Sequence, residues 1–583
     1  MTNDVLVWGG GTGGVAAALQ SARSGASTLL LTPGPWLGGM LSAAGVSAPD
    51  GHELSCWQTG LWGAFLRQME EITPAGLDQN WVSCFGFRPN QAEAVLQRWV
   101  REESKLQWWP QAELLQVSCR GDRIESISVL HAGERSEHRP AVVIDGSDLG
   151  DLLAMANAPF RWGWEAREQW KEPSAPTRLQ LEHDRFHREQ PIQSPTWVVM
   201  GQLADGACPE QPVVPLEPPF QSCLNPFGLE RTLTYGRLPG GLVMLNWPLH
   251  GNDWHHELGR CISDQPSDSD QLAREMQAHS RRFLNNLAAS SAGWIRPGVE
   301  FPGPDPSMAL MPYWREGRRL VGWDVVTEND LLPLSDERPH GPLPVDAAGR
   351  CTSIAIGTYA NDHHYPGEDW PLAPKSVPWG GRWTGTPFCI PFGALHGSAF
   401  SNLLAADKCI SVSHMANGAT RLQPLILNIG QAAGITAAMA VKRRVAPQEL
   451  PVRDVQHALI DDPQAPAAVM PIWALPSWHA GWAEAQRRAL NEPADPHMLN
   501  PEVPQHAEQA PVPSHAHAFQ GRFSVEADDS WWLETDQGRW RLITLEPMVE
   551  QQLRRSPQGV QLSLLACENR WGPWLRVIQV AIN

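Results

Sequence analysis

The chain has 583 residues, more than one hydrophobic core usually organises, so two or three domains are expected. Its 45 basic and 63 acidic residues leave a net charge of −18, which removes the electrostatic footprint of a nucleic-acid partner. Ten cysteines without a Cys-x-x-Cys pair indicate no zinc or iron–sulfur framework, hence no metal. The first strand begins too early for a signal peptide and no apolar run nears the ~20 residues of a membrane span, so a cytoplasmic protein without a membrane partner is expected.

In chain order, Val5-Leu6-Val7-Trp8 reads as a buried strand, Gly9 to Gly14 as a glycine turn, and the residues to about Ser24 as a helix. Gly9, Gly11 and Gly14 fall on Gly-x-Gly-x-x-Gly, which needs one glycine for the turn, one for close approach of a pyrophosphate and one for helix against strand. The second apolar run, Thr28 to Thr32, completes a β-α-β unit and leads to Pro33-Gly34-Pro35-Trp36-Leu37-Gly38-Gly39-Met40. Helical spacing recurs over 60–71 and 90–100, the latter with Asn90 as a candidate cap. Alternation on either side of Arg120-Gly121-Asp122 signals a hairpin, and Ala141 to Asp145 is a strand opening onto Gly146-Ser147.

The stretch 173–224 is rich in proline and polar residues and reads as loops around a few strands. Segments 232–238 and 242–247 are expected to pair as a hairpin, followed by the loop Asn252-Asp253-Trp254-His255 and a long helix over 270–289. A strand at 354–359 delivers Asn361-Asp362-His363-His364 at its end. Asn402 to Ser411 holds another buried strand, and the small residues of the helix from about Leu422 to Val441 permit close backbone packing. Past Trp482 the composition shifts to Pro, His and Glu through about Ala516, a linker, and the alternating segments beyond Phe519 suit a small barrel of the OB type. Twenty-eight tryptophans against 4 tyrosines are the one compositional oddity.

Gly9 to Gly14, Trp36 to Met40 with Ala44 to Ser47, Ile144 to Leu153, Arg315 to Gly322, Tyr359 to His364 and Asn402 to Gly434 together resemble the FAD-dependent oxidoreductases often labelled xanthan-lyase-related, within the glutathione-reductase-like flavoproteins. The resemblance covers about 1–459 and implies an α/β fold: a Rossmann-type FAD-binding domain in two parts, 1–160 and 386–462. An α+β substrate or cap domain, 161–385, is inserted between them. A linker and helix (463–517) and the small β domain (518–583) follow.

The resemblance implies that Gly9, Gly11, Thr12, Gly13 and Gly14 hold the FAD pyrophosphate, that Gly38, Gly39 and Met40 line the ribityl and flavin region, and that Asp145, Gly146, Ser147 and Asp151 pass beside the cofactor. Gly430, Gln431, Ala432, Ala433 and Gly434 are expected to set a helix N-terminal region toward the flavin, whose reduced form carries negative charge that a helix dipole favours. Thr32 stands where such flavoproteins present an acidic residue to the ribose, and its hydroxyl offers one hydrogen bond in place of a charged pair. Asp407 stands where the family has glycine and is a candidate for the ribityl chain. For proton transfer at the flavin the candidates are His364 and Asp362, with His363 between them; Arg421 and His414 are candidates for a substrate oxyanion or carboxylate. Arg318 and Arg319 read as ion-paired structure, and Asn252, Asp253 and His255 as substrate-domain candidates for which the loop reading is preferred. The function implied is hydride transfer between FAD and a small organic substrate, the alternatives being a monooxygenase or a flavin-binding scaffold without turnover. Oligomeric state stays open.

Overall fold

Four apolar residues with no polar alternation suit a strand buried on both faces, as in the interior of a parallel sheet. Val5–Trp8 (β1) is such a strand, central to a five-stranded sheet with Thr28–Leu31 (β2), Leu106–Trp109 (β3), Val142–Asp145 (β4) and Leu403–Ala405 (β5) in the order β5-β4-β1-β2-β3. The computed structural model describes residues 3–248, 250–335, 339–367, 370–373, 376–492 and 510–582 of the protein. All four pairings are parallel, with Trp8 level with Leu31 on one side and Asp145 on the other. The chain builds β1, β2 and β3 outward in one direction and β4 and β5 in the other, so the strand order reverses between β1 and β4. A crevice opens at such a reversal beyond the strands' C-terminal ends, and open α/β sheets bind their ligands there.

Helix α1, Thr12–Arg23, crosses from β1 to β2 and packs along α2, Gln423–Arg443. A side chain at Gly430 would overlap the Gly13 carbonyl, and one at Gly434 that of Ala17, so the two backbones touch directly. Helix α2 has the length and apolarity of a membrane span, which corrects the expectation from the sequence, yet 89% of its most apolar window is buried. Its composition is that of a core helix.

Between β4 and β5 the chain forms an antiparallel sheet of Leu242–Leu245, Val199–Leu203 and Ile295–Pro297, backed by the long helix Pro266–Ser290. The expected hairpin of 232–247 forms only at its turn, as one antiparallel bridge between Arg237 and Val243, with the Leu238 N–H donating to Leu242 O (2.7 Å) and the Met244 N–H to Gly236 O (2.8 Å). Residues Gly228–Leu233 are helical, and Leu242–Leu245 finds its partner in Val199–Leu203. Asn90 is not a cap either: the helix starts at Pro89 after Arg88, and the Asn90 N–H donates to Glu300 Oε1 at 2.8 Å. The hairpin around Gly121 forms as expected and gains a third strand, Glu134–His138.

The tail folds into a closed barrel of His517–Val525 (β6), Trp531–Thr535 (β7), Gly538–Thr544 (β8), Gln561–Asn569 (β9) and Trp574–Ile582 (β10), ordered β6-β7-β8-β10-β9. Strands β8 and β10 run parallel, and the helix Pro547–Arg555 lies between β8 and β9, an arrangement of the OB type. The barrel docks through Asp78, which accepts from Asn569 Nδ2 (2.6 Å) and Trp574 Nε1 (3.0 Å), and through the Thr544 N–H to Gly380 O (2.9 Å). Within the expected linker, Trp482–Asn491 is a helix and 493–509 lies outside the described residues.

Candidate functional site

The crevice between β1 and β4 opens into a cavity of about 690 Å³ lined by Gly9, Gly10, Gly11, Thr32, Ser147, Asp151, Met311 and Trp314, among others. Gly9 has φ +110°, and any side chain on it would overlap the Gly146 backbone, so only glycine turns the chain here while keeping β1 against β4. Thr12 Oγ1 donates to Gly38 O (2.8 Å) and the Gly38 N–H to Gly10 O (2.9 Å), which ties the Gly39–Leu41 turn and its buried Met40 over the cradle. The N–H groups of Gly10, Gly11 and Thr12 have no partner among the described residues. Three free donors at the N-terminus of α1 suit a phosphate. The Gly13 N–H is spent, donating to Asp407 Oδ2 at 2.8 Å, and Lys408 Nζ neutralises that carboxylate (3.1 Å) while also bonding Asp148. Burial raises Asp407, with Lys408 opposing.

Several candidate cofactor residues are also bonded within the protein. Asp145 accepts from Ser147 N (3.0 Å), Ser147 Oγ (2.6 Å) and Leu153 N (3.1 Å), holding the corner after β4; burial and then the Asp151 charge push it up to about 7. Asp151 lines the cavity and takes the Trp8 indole N–H at 3.1 Å. Gly430 to Gly434 lie two turns inside α2 rather than at its N-terminus, which is Gln423, and Gln431 bonds Leu61 N and Ala465 O. The Thr32 hydroxyl donates to Gly34 O (2.9 Å) and accepts from Trp108 Nε1 (3.0 Å), so it is occupied both ways. Thr32→Val should therefore cost about 1 kcal/mol of stability in denaturant titrations. In flavin-fluorescence titration it should leave FAD affinity within about threefold, well under the factor of ten that about 1.4 kcal/mol would bring.

A second cavity, about 770 Å³, lies across the segments 43–46 and 313–315 from the first. Ala43 and Trp314 face the first cavity, Val46, Tyr313 and Arg315 the second. Here His364 Nδ1 meets Asp253 Oδ2 (2.8 Å) and Nε2 meets Asp362 Oδ2 (2.6 Å). Carboxylates only accept, so both ring nitrogens donate and the ring is an imidazolium. Burial would raise both carboxyls, but Arg315 and His364 at Asp253, and His364 and Arg421 at Asp362, outweigh it and hold them well below the usual carboxylate range. Arg315 pairs with Asp253 (3.2 Å) and donates to Thr196 Oγ1 (3.0 Å) and Asn246 Oδ1 (3.1 Å). Arg421 donates to Asp362 Oδ2 (3.1 Å) and to the Tyr313 hydroxyl. Tyr359 donates to the same Asp362 oxygen at 3.5 Å. The N-terminus of α2 borders this cavity at Gln423.

His363 and His414, expected beside a substrate, instead sit behind the cavity in a buried chain. The His363 Nε2–H donates to Met415 O (3.0 Å), since a carbonyl only accepts. Burial holds His363 and His414 well below the usual imidazole range, so each is neutral with one N–H. His363 Nδ1 then accepts from the Tyr365 hydroxyl (3.0 Å), whose oxygen accepts from His414 Nε2 (2.5 Å). His414 Nδ1 is left to accept from Glu316 at 2.9 Å, which requires a protonated carboxyl, and burial pushes Glu316 up to about 7 against the opposing charge of Arg319. One carbonyl thus orients the whole chain.

Asp50, Tyr235, Tyr313, Arg315 and Tyr359 also line the second cavity, and reading by motif missed all but Arg315 and Tyr359, which it took as ends of matching segments. Asp253, a substrate-domain candidate for which the loop reading is preferred on sequence, pairs with His364 and Arg315 here. A signal was available in the tyrosines: the chain has 4, three line this cavity, and the fourth, Tyr365, belongs to the chain behind it.

The sequence pattern of the family described as FAD dependent oxidoreductase matches residues 4–459. No curated protein matches. Among solved structures, the chain is similar to BexE, an oxidation protein of BE-7585A biosynthesis (12% identity, 55% of this chain and 54% of that one, TM-score 0.30). It is also similar to L-proline dehydrogenase from P. horikoshii (16%, 25% and 22%, TM-score 0.16) and the OxyS anhydrotetracycline hydroxylase from Streptomyces rimosus (16%, 36% and 39%, TM-score 0.22). The chain spans from about a fifth to about half the length of these structures.

Proposed function

The chain belongs to the FAD-dependent oxidoreductase family, so FAD is its cofactor, and from that premise we propose that it oxidises a small organic substrate by hydride transfer. The observation that carries this reading is the pair of adjoining cavities, one with a phosphate cradle and the other lined by ionisable side chains. The N–H groups of Gly10, Gly11 and Thr12 would hold the pyrophosphate, with Asp151 and Trp314 along the same cavity. Bound there, FAD supplies the two-electron acceptor. The N-terminus of α2 at Gln423 favours negative charge developing at the cavity boundary. His364 and Arg421 keep Asp362 ionised, and Arg315 keeps Asp253 so, which fixes the field in which a substrate is held.

The purified protein is expected to be yellow with one FAD per chain, and anaerobic addition of one member of a panel of alcohols, hydroxy acids and amines should bleach the flavin absorbance. A colourless protein that cannot be reconstituted with FAD would sink the reading. Bleaching by NAD(P)H, with none by the panel, would turn it to a monooxygenase.

A further inference from the structure

The second cavity contains a carboxyl that receives no hydrogen bond from the described residues. Asp50 lies in Ala48-Pro49-Asp50-Gly51-His52, where Gly51 (φ +76°) and His52 (φ +51°) are successive left-handed residues. That conformation is unfavourable for histidine, and such strain persists only where the surroundings impose it. They do so here: the His52 N–H donates to Thr358 Oγ1 (2.8 Å), and its buried ring meets Ile356 O (2.6 Å). The turn thereby pins Asp50 into the cavity beside Tyr235 and Tyr359, and its carboxyl has no hydrogen-bond partner among the described residues.

The charged side chains of this cavity other than Asp50 each have a charged partner. His364 donates from both nitrogens, Asp362 Oδ2 receives His364, Arg421 and Tyr359, and Arg315 is spent on Asp253, Thr196 and Asn246. Resting on the hydride-transfer reading above, we propose that Asp50 is the catalytic residue that accepts the proton of the substrate's O–H or N–H bond, and that His364 is a fixed cation rather than a base. The balance is complete. The O–H or N–H bond breaks and its proton goes to an Asp50 oxygen; the adjacent C–H hydrogen leaves with its electron pair to the flavin; those atoms become joined by a C=O or C=N bond. The substrate is oxidised by two electrons and the flavin reduced by two.

Charge around Asp50 supports the role. Burial raises its carboxyl well above the usual range, the charges of Glu53 and Asp362 add to this, and Arg382 and Arg421 oppose it. Arg382 reaches the site from the hairpin Ser376–Trp379/Arg382–Gly385 and is itself paired with Glu53 at 2.9 Å. A base must be ionised, so flavin reduction should speed up as pH rises through the raised value.

The test uses the FAD-loaded full chain and the substrate found by the panel. Asp50→Asn should retain FAD and its melting point while losing about 10²–10⁴-fold in anaerobic flavin reduction, together with the rise with pH. Asp50→Ala should regain part of the rate with added formate. Independently of turnover, infrared difference spectra should show a protonated-carboxyl band that titrates above the ordinary carboxylate range and is missing in Asp50→Asn. A variant within a few-fold of the parent with its pH rise intact, or absence of that band, overturns the proposal. If no panel member reduces the parent flavin, the hydride-transfer reading falls on its own, and the infrared comparison still decides whether Asp50 carries the proton.

Discussion

Alanine at position 13 is expected to give a colourless protein with a markedly lower unfolding midpoint. A Cβ there would overlap the Ala406 carbonyl and crowd the backbone of Asp407, so α1 has to move away from the end of β5. The movement breaks the Gly13 N–H bond to Asp407 and swings the free N–H groups of Gly10, Gly11 and Thr12 off their aim. Overpacking a buried contact between rigid backbones costs about 3 kcal/mol at the upper end, and lost cofactor binding adds to it. The check is the flavin-to-protein absorbance ratio together with the denaturant midpoint. Gly34→Ala is the control, because a Cβ there meets nothing within 4 Å and Gly34 borders the same cavity. It should keep its colour.

His364→Ala should lose stability as well as activity, which separates a fixed cation from a base. The substitution leaves Asp362 without one of its partners and Asp253, 1% exposed, with Arg315 as its remaining cation. Removing one member of a buried ion pair costs about 3–5 kcal/mol, and Arg315 should keep the loss near the lower figure. Adding Asp253→Asn should recover part of it, read as the coupling in a double-mutant cycle. The pH dependence has a definite sign. Both carboxyls are depressed in the folded state, so their contribution is full above the unfolded value of about 3.9 and is lost as pH falls through the folded values. The parent and His364→Ala should therefore differ most near neutrality and converge in acid.

Sheet and cradle were legible because their signals are local. Val5 to Trp8, Gly9 to Gly14 and Thr28 to Leu31 follow one another within a single β-α-β unit, and each residue type is demanded by its immediate neighbours. The hairpin around Gly121 and the order of elements in the barrel were legible for the same reason. What failed was pairing at a distance. Leu242–Leu245 pairs along its whole length with Val199–Leu203 and meets the segment just before it only at Arg237, and nothing near either strand declares that choice. In the candidate site, Asp362 and His364 stood out as neighbours in sequence, whereas Asp253 meets His364 across 111 positions and Asp50 enters on a turn whose left-handed His52 is enforced by β-strand residues some 300 positions away. The role expected of His364 turned on knowing both of its neighbours, and only one is adjacent in the chain.

The placement of the tyrosines has a practical consequence. With only 4 in the chain, three on the wall of the second cavity and one in the hydrogen-bonded chain behind it, feeding isotope- or fluorine-labelled tyrosine to the expressing cells would mark this one neighbourhood and nothing else. Four resonances from a protein of this size can be followed one by one. Tyr235 and Tyr359 would report what enters the cavity and Tyr313 the state of Arg421, while Tyr365 would register the protonation of Glu316 through the imidazole between them.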